Sequence, residues 1–205
     1  MTYRGPKARL MRRFGEAFSY SPKYSRILEK RPYPPGQHGH KQRRPRLGDY
    51  GQRLFEKQKL RAIYNISEGQ MRRYMKEAMR RPGRTGENLL QLLECRLDNV
   101  AYRLGFSPTI WGTRQLVNHG HIRVNGRKVD IPSFLVLPGD VISISEKMKN
   151  NPHIQAWVSM RPSALIPSYL SADRENLSGV LTRMPSREEI PVNVNESFIV
   201  EFYAK

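Results

Sequence analysis

The sequence predicts an α+β fold: a basic N-terminal segment, a helical domain, and a module of two helices on a small antiparallel β-sheet. Three observations carry this expectation. Between about residues 49 and 118, apolar side chains recur at the three- and four-residue spacing of helix faces. Asn125-Gly126 stands between two short β-prone pieces, Ile122–Val124 and Arg127–Val129, the strongest short-range signal for a hairpin. Residues 1–48 hold six prolines and five glycines, which leave little room there for a helix beyond a turn or two.

Each element follows in order. The segment 1–48 is so charged that a bound ligand is expected to fix it. Asp49 to about Tyr64 reads as a helix, with Asp49 favourable at its positive end and Arg53, Lys57 and Arg61 in one basic stripe. A second helix runs from Ser67 to about Arg81. Ser67 and Gln70 match a capping box, and Met71, Tyr74, Met75, Ala78 and Met79 form a core stripe. Arg72, Lys76 and Arg80 repeat the four-residue basic step, beside Arg73. Pro82–Gly86 breaks the chain and marks a boundary. Glu87 to Leu104 predicts one long Leu-rich helix closed by Gly105. Ser107-Pro108 predicts the start of another, ending near Asn118 and Gly120. The hairpin, Leu135–Leu137 and Val141–Ile144 supply strands, and Phe198, Val200 and Phe202 alternate as in an extended segment.

The charge narrows function. Lys plus Arg number 36 against 18 Asp plus Glu, a net charge of +18. It falls as a gradient: +10 over residues 1–50, +5 over 51–100, +4 over 101–150 and −1 over 151–205. Arg outnumbers Lys 25 to 11, and the planar guanidinium pairs two-pronged with phosphate and stacks on bases. A polyanionic partner is expected, and nucleic acid fits best. The single cysteine, Cys95, excludes a disulfide framework or a CxxC site. Two H-x-H pairs, His38/His40 and His119/His121, have no neighbouring cluster to complete a metal site. No phosphate-loop, nucleophile-elbow or dinucleotide motif occurs, so neither an enzyme nor a cofactor nor a small-molecule substrate is expected. No apolar run is long enough to span a bilayer and no secretory segment opens the chain, so a cytoplasmic location away from membranes is expected.

One constellation points to RNA. The helix ending near Asn118 carries Arg114, Gln115 and Asn118, and the turn and hairpin add His119, His121, Arg123, Asn125, Arg127 and Lys128. A helix joined tightly to a hairpin offers these donors as one surface, suited to structured RNA read by shape, phosphate and 2′-OH. In the N-terminal segment the cations Arg4, Lys7, Arg9, Arg12 and Arg13 interleave with aromatics such as Tyr3, Phe14, Phe18, Tyr20, Tyr24 and Tyr33 that can stack on bases.

Arg96–Gly105, Thr113–Val117, His119–Gly126 and Pro138–Asp140 resemble the small RNA-binding module named after ribosomal protein S-four. The module alone also occurs in RNA-modifying enzymes and stress-response proteins. The stretches Arg31–Gly39, Asp49–Gly51, Glu56–Arg61, Thr85–Glu94 and Ile199–Tyr203 extend the resemblance nearly end to end, to bacterial-type small-subunit ribosomal protein S-four.

This resemblance implies a primary 16S rRNA-binding protein that nucleates assembly of the small-subunit body. The rRNA-binding residues would be Arg4, Lys7, Arg9, Arg12, Arg13, Arg53, Lys57, Arg61, Arg72, Arg73, Lys76, Arg114, Gln115, Asn118, His119, Arg123, Arg127 and Lys128. It implies contact with protein S-five through Asp49, Tyr50, Glu196, Ile199, Glu201 and Tyr203, and, with S-five and S-twelve, an influence on decoding accuracy. Arg43, Arg44 and Arg46 would face the channel through which mRNA enters. It also implies a module inserted in a helical domain: 1–48 as the basic segment, 49–86 completed by 173–205, and 87–172 as the module, with a core of about 95–157. The expected setting is a cytoplasmic ribosome, with an organellar one left open. Family members that hold zinc do so with four cysteines. The matching positions here are Ala8, Met11, Phe18 or Ser19, and Tyr24, so packing and rRNA are expected in place of a metal.

Overall fold

The structure is a computed structural model that describes residues 3, 5–40, 47–160, 162 and 165–204. Arg4, Arg43, Arg44 and Arg46 lie outside the described residues. In chain order the elements are α1 (Lys7–Phe14), α2 (Pro22–Lys30), α3 (Asp49–Ile63), α4 (Glu68–Arg80), α5 (Thr85–Glu94), α6 (Leu97–Arg103), α7 (Ile110–Asn118), β1 (Ile122–Val124), β2 (Arg127–Lys128), β3 (Val141–Ile144), α8 (Glu146–Lys149), α9 (Pro152–Met160), β4 (Leu170–Asp173), β5 (Ser178–Leu181) and α10 (Glu196–Tyr203). They divide into two units, Met1–Gly86 with Asn193–Lys205, and Glu87–Val192.

In the first unit the prolines of the N-terminal segment start helices rather than prevent them. Pro6 immediately precedes α1, and Pro22 occupies the first position of α2, where its missing N–H costs nothing. Gly15 ends α1 in the left-handed region, φ 74°, with its N–H on the Met11 carbonyl. Met11, Phe14 and Phe18 are buried, and the Phe14 ring meets those of Phe18 and Phe55 at 5.8 and 5.1 Å. The segment is therefore packed on α3 through a shared apolar cluster. The α4 capping box forms with both of its bonds, Gln70 N–H to Ser67 Oγ and Ser67 N–H to Gln70 Oε1. Met71, Met75 and Ala78 of the expected stripe are buried, whereas Met79 is exposed.

The C-terminus is helical, not extended. Asn195 Oδ1 accepts from the Ser197 and Phe198 N–H groups and so nucleates α10. Ile199 is fully buried, and α10 lies along α3. The apparent alternation at Phe198, Val200 and Phe202 is a helix with apolar residues on several faces.

The second unit holds a five-stranded antiparallel sheet in the order β2-β1-β3-β5-β4. One core joins it to the helices: Leu97, Val100, Val117, Ile122, Val136, Ile142 and Ile144 are fully or almost fully buried in it. Three expectations change here. The long Leu-rich helix breaks between α5 and α6. Arg96 is extended and bridges to Leu135, and the Val136 N–H donates to the Cys95 carbonyl. The next helix is capped by Thr109, whose Oγ1 accepts the Gly112 N–H at 3.0 Å, two residues beyond the expected cap. The return to the first unit begins at Asn193 rather than at residue 173, because β4 and β5 complete the sheet.

Candidate nucleic-acid interface

In the second unit the hairpin forms as its Asn-Gly pair requires. Asn125 and Gly126 both take positive φ, 50° and 79°, the two left-handed positions of a type I′ turn. Asn125 Oδ1 accepts the Val141 N–H at 2.9 Å and its Nδ2 donates to Asp140 Oδ1 at 2.8 Å. Asp140 Oδ2 in turn accepts the Leu137 N–H at 2.8 Å. The hairpin tip is thus fixed to the Pro138–Asp140 turn. Asn125→Ala forfeits both side-chain bonds and places a Cβ-bearing residue with no compensating bond in the left-handed region. A loss of about 1–2 kcal/mol is expected, read from the urea midpoint.

On this frame Gln115, Asn118, His119, Arg123, Arg127 and Lys128 are all exposed. Arg123 stands opposite Lys128 across the ladder, and its Nη1 donates to the Gly126 carbonyl at 3.2 Å. The His119 and His121 rings lie edge to face, 6.0 Å apart. Gly120 joins α7 to the hairpin with φ 71°, and a Cβ there would strike the Lys128 side chain. The turn is therefore both bent and narrow, and it keeps the α7 end and the hairpin together.

Beneath this face lies a buried polar network that sequence reasoning missed. Arg96 Nε and Nη2 grip Asp98 Oδ1 and Oδ2 at 3.0 and 2.7 Å, with both residues fully buried. Arg114 Nη1 is 3.8 Å from Asp98 Oδ2, so the one half-buried cation of the face is tied to this pair. Burial pushes the Asp98 carboxyl above its ordinary range, against the pull of Arg96 and Arg114. Glu94 forms a second centre. Its Oε1 and Oε2 accept from Arg103 Nη2 and Nε at 2.6 and 3.0 Å, and Oε2 also accepts from Asn99 at 2.5 Å and Tyr169 at 2.8 Å. The sequence signal was there: three charges, Glu94, Arg96 and Asp98, in an otherwise apolar run.

The first unit sorts its predicted cations differently. Arg72, Arg73 and Lys76 of α4 are exposed. The stripe on α3 is not an open basic face. Lys57 is buried, with Nζ 3.1 Å from Glu68 Oε2 and 4.1 Å above the Phe202 ring. Arg61 Nη1 donates to Gln58 and Glu68, each at 3.0 Å, and Arg53 pairs with Glu201 at 2.7 Å. The four-residue step aims these cations at acids and rings of α4 and α10. Expected partner-facing residues share in this seam: Glu201 holds Arg53, Tyr203 donates to Glu68 Oε1 at 2.8 Å, and Ile199 is core. Asp49 and Tyr50 are exposed, and Glu196 is half-buried.

Glu68 is the hub of that seam. Burial pushes its carboxyl up, but hydrogen bonds from Tyr203 and Lys57, with the charges of Lys57 and Arg61, hold it below its ordinary value of 4.5. A depressed folded pKa contributes stability that is present above the unfolded value and lost as pH falls below it. Acidification below about pH 4.5 is therefore expected to loosen this seam. In Glu68→Gln the difference in urea midpoint between neutral and acid pH should shrink.

On α1, Arg9 and Arg13 are exposed. Lys7 donates to the Tyr3 carbonyl, and Arg12 donates to the carbonyls of Tyr33 and Pro34 at 3.1 and 3.2 Å. At the positions matching zinc ligands, Met11, Phe18 and Ser19 are buried. Among the described residues no group of three or more His, Cys, Asp or Glu is placed to hold a metal ion, and no helix is long and apolar enough to cross a membrane.

Comparison with known proteins fits this layout. Residues 2–94 match the family model described as ribosomal protein S4/S9 N-terminal domain, and residues 95–142 match the S4 domain. The chain is 51% identical over 203 residues to small ribosomal subunit protein uS4 of Akkermansia muciniphila, covering 99% of this chain and 98% of that one. The same protein of Geobacillus sp. and of Geobacillus stearothermophilus is 49% and 48% identical over 203 residues, with 99% of this chain and 98% of each relative covered. With about half its residues identical along nearly its whole length, the chain belongs to the family of small ribosomal subunit protein uS4.

Proposed function

We propose that this chain, a structural ribosomal protein rather than an enzyme, binds 16S rRNA directly and nucleates assembly of the small-subunit body. The observation that supports this most is the rim of Asn118, His119, Arg123, Arg127 and Lys128, all exposed and held on a bonded frame. Long cations on a rigid support can meet phosphates without ordering the backbone first. Arg72, Arg73 and Lys76 on α4, with Arg9 and Arg13 on α1, offer further phosphate contacts in the first unit.

The near-neutral C-terminal quarter is the part suited to protein. Asp49 and Tyr50 at the start of α3, with the exposed side of α10, are the proposed contact with S-five. Through that contact, and functionally with S-twelve, the protein contributes to decoding accuracy. Arg43, Arg44 and Arg46 are proposed to meet mRNA where it enters the subunit, which also sets the working location on the ribosome. Sedimentation tests the core of this reading: the protein should travel with small subunits through a high-salt wash. Recovery only in the free fraction would contradict it.

A further inference from the structure

We propose that a cavity in the N-terminal unit receives a single nucleotide extruded from an RNA strand. This rests on the RNA-binding reading above and adds a ligand class and a place to it. The cavity measures about 500 Å³, within the roughly 300–1,000 Å³ range of small-ligand sites. It is lined from α1 by Arg9 and Arg12, from α2 by Ile27 and Lys30, and beyond α2 by Arg31 and Pro35. No carboxylate is among the described residues that line it.

The four cations divide into two roles. Arg12 belongs to the wall. Its Nε and Nη2 hold the carbonyls of Tyr33 and Pro34, and its guanidinium lies 4.8 Å over the Tyr33 ring. The Tyr33 ring in turn lies against the His40 ring, centroids 3.6 Å apart and tilted by 38°. Gly39 is buried against the Pro34 carbonyl so closely that a Cβ would collide with it. The proline-rich loop is therefore clasped onto α1 before any ligand arrives. Arg9, Lys30 and Arg31 are exposed at the rim, and among the described residues none of them forms an ion pair with a carboxylate.

Three cations gathered around an apolar-walled hollow repel one another until an anion enters. A bare phosphate would answer the charges but leave Ile27 and Pro35 against water. A nucleotide satisfies both: its phosphate meets the rim, and its flat base covers the apolar wall at Ile27 and Pro35. Removing a base from its stack is least costly in single-stranded or bulged RNA, so the site selects such a position.

The test uses the full chain and uridine 5′-monophosphate, with inorganic phosphate as the second arm, followed by backbone amide NMR. The nucleotide should shift Arg9, Lys30, Arg31 and Gly36 saturably in the millimolar range, at least tenfold more tightly than phosphate. R9A/K30A/R31A, all exposed positions, should abolish these shifts while leaving the rest of the spectrum in place, and the single variant K30E should weaken them alone. Equal affinity for phosphate and nucleotide, or no saturable shift, overturns the nucleotide site. If the site fails in this way while the unaltered protein still binds small-subunit rRNA, only this inference falls. Failure of the unaltered protein to bind that rRNA removes the broader reading as well.

Discussion

Replacing Arg123, Arg127 and Lys128 together with alanine is expected to weaken binding to small-subunit rRNA by roughly 100- to 500-fold at about 0.1 M salt. The magnitude follows from counterion release. Each phosphate neutralised contributes a slope of about 0.7 to 0.9 in log K against log[salt], which at that salt is a factor of about 5 to 8 per cation. The same variant should therefore also flatten the salt slope by about 2 to 3. All three side chains are exposed, and among the described residues the side-chain bond lost is that of Arg123 to the Gly126 carbonyl, so unfolding should be nearly unchanged. Filter binding across a salt series measures both quantities at once. An affinity within twofold of the unaltered protein would move the RNA contact away from the hairpin.

The largest effect on stability is expected at Glu94. Its carboxylate accepts from Arg103, Asn99 and Tyr169, and all four residues are buried. Glu94→Ala removes the buried carboxylate that Arg103, Asn99 and Tyr169 donate to, while Asn99 keeps its 3.2 Å bond to the backbone carbonyl of residue 94. Removing one partner of a buried ion pair costs about 3–5 kcal/mol, because the remaining charge cannot recover its water. Glu94→Gln retains an acceptor oxygen for part of the set and should lie between the two. Urea unfolding of both variants ranks them. A Glu94→Ala cost below about 1 kcal/mol would mean that water reaches Arg103 when the acid is gone. The network has a structural consequence: it fixes α5 and α6 against Tyr169, the residue preceding β4.

What could be read from the sequence depended on how local its cause was. The Ser67/Gln70 box, the Asn125-Gly126 turn and the Gly120 stop each need only neighbouring residues, and each is present. The break at Arg96 needed its isolated bridge to Leu135, a distant stretch of chain that no local pattern reveals. β4 and β5 carry Ser171, Ala172, Ser178 and Gly179, small residues that leave no apolar period. The α10 helix was hidden because Phe198, Val200 and Phe202 alternate by chance while Asn195 sets the helix start.

The candidate interface shows the same division. Exposed cations on the hairpin and α4 were recognised because a solvent-facing side chain answers to charge alone. Lys57 and Arg61 have the same spacing as Arg72 and Lys76, yet they face Glu68 rather than solvent. Spacing places cations on one face of a helix but does not say what that face meets. Only the tertiary placement of α10 decides it, and Tyr203 and Phe202 are more than a hundred residues downstream of Lys57 in the chain.

In the proposed function the chain's excess of positive charge meets rRNA phosphates. The most direct test is the affinity of the full-length protein for small-subunit rRNA as a function of salt. For roughly 10 phosphates neutralised, log K against log[salt] should fall with a slope on the order of −7 to −9. A slope near −1 for the same specific complex would contradict it.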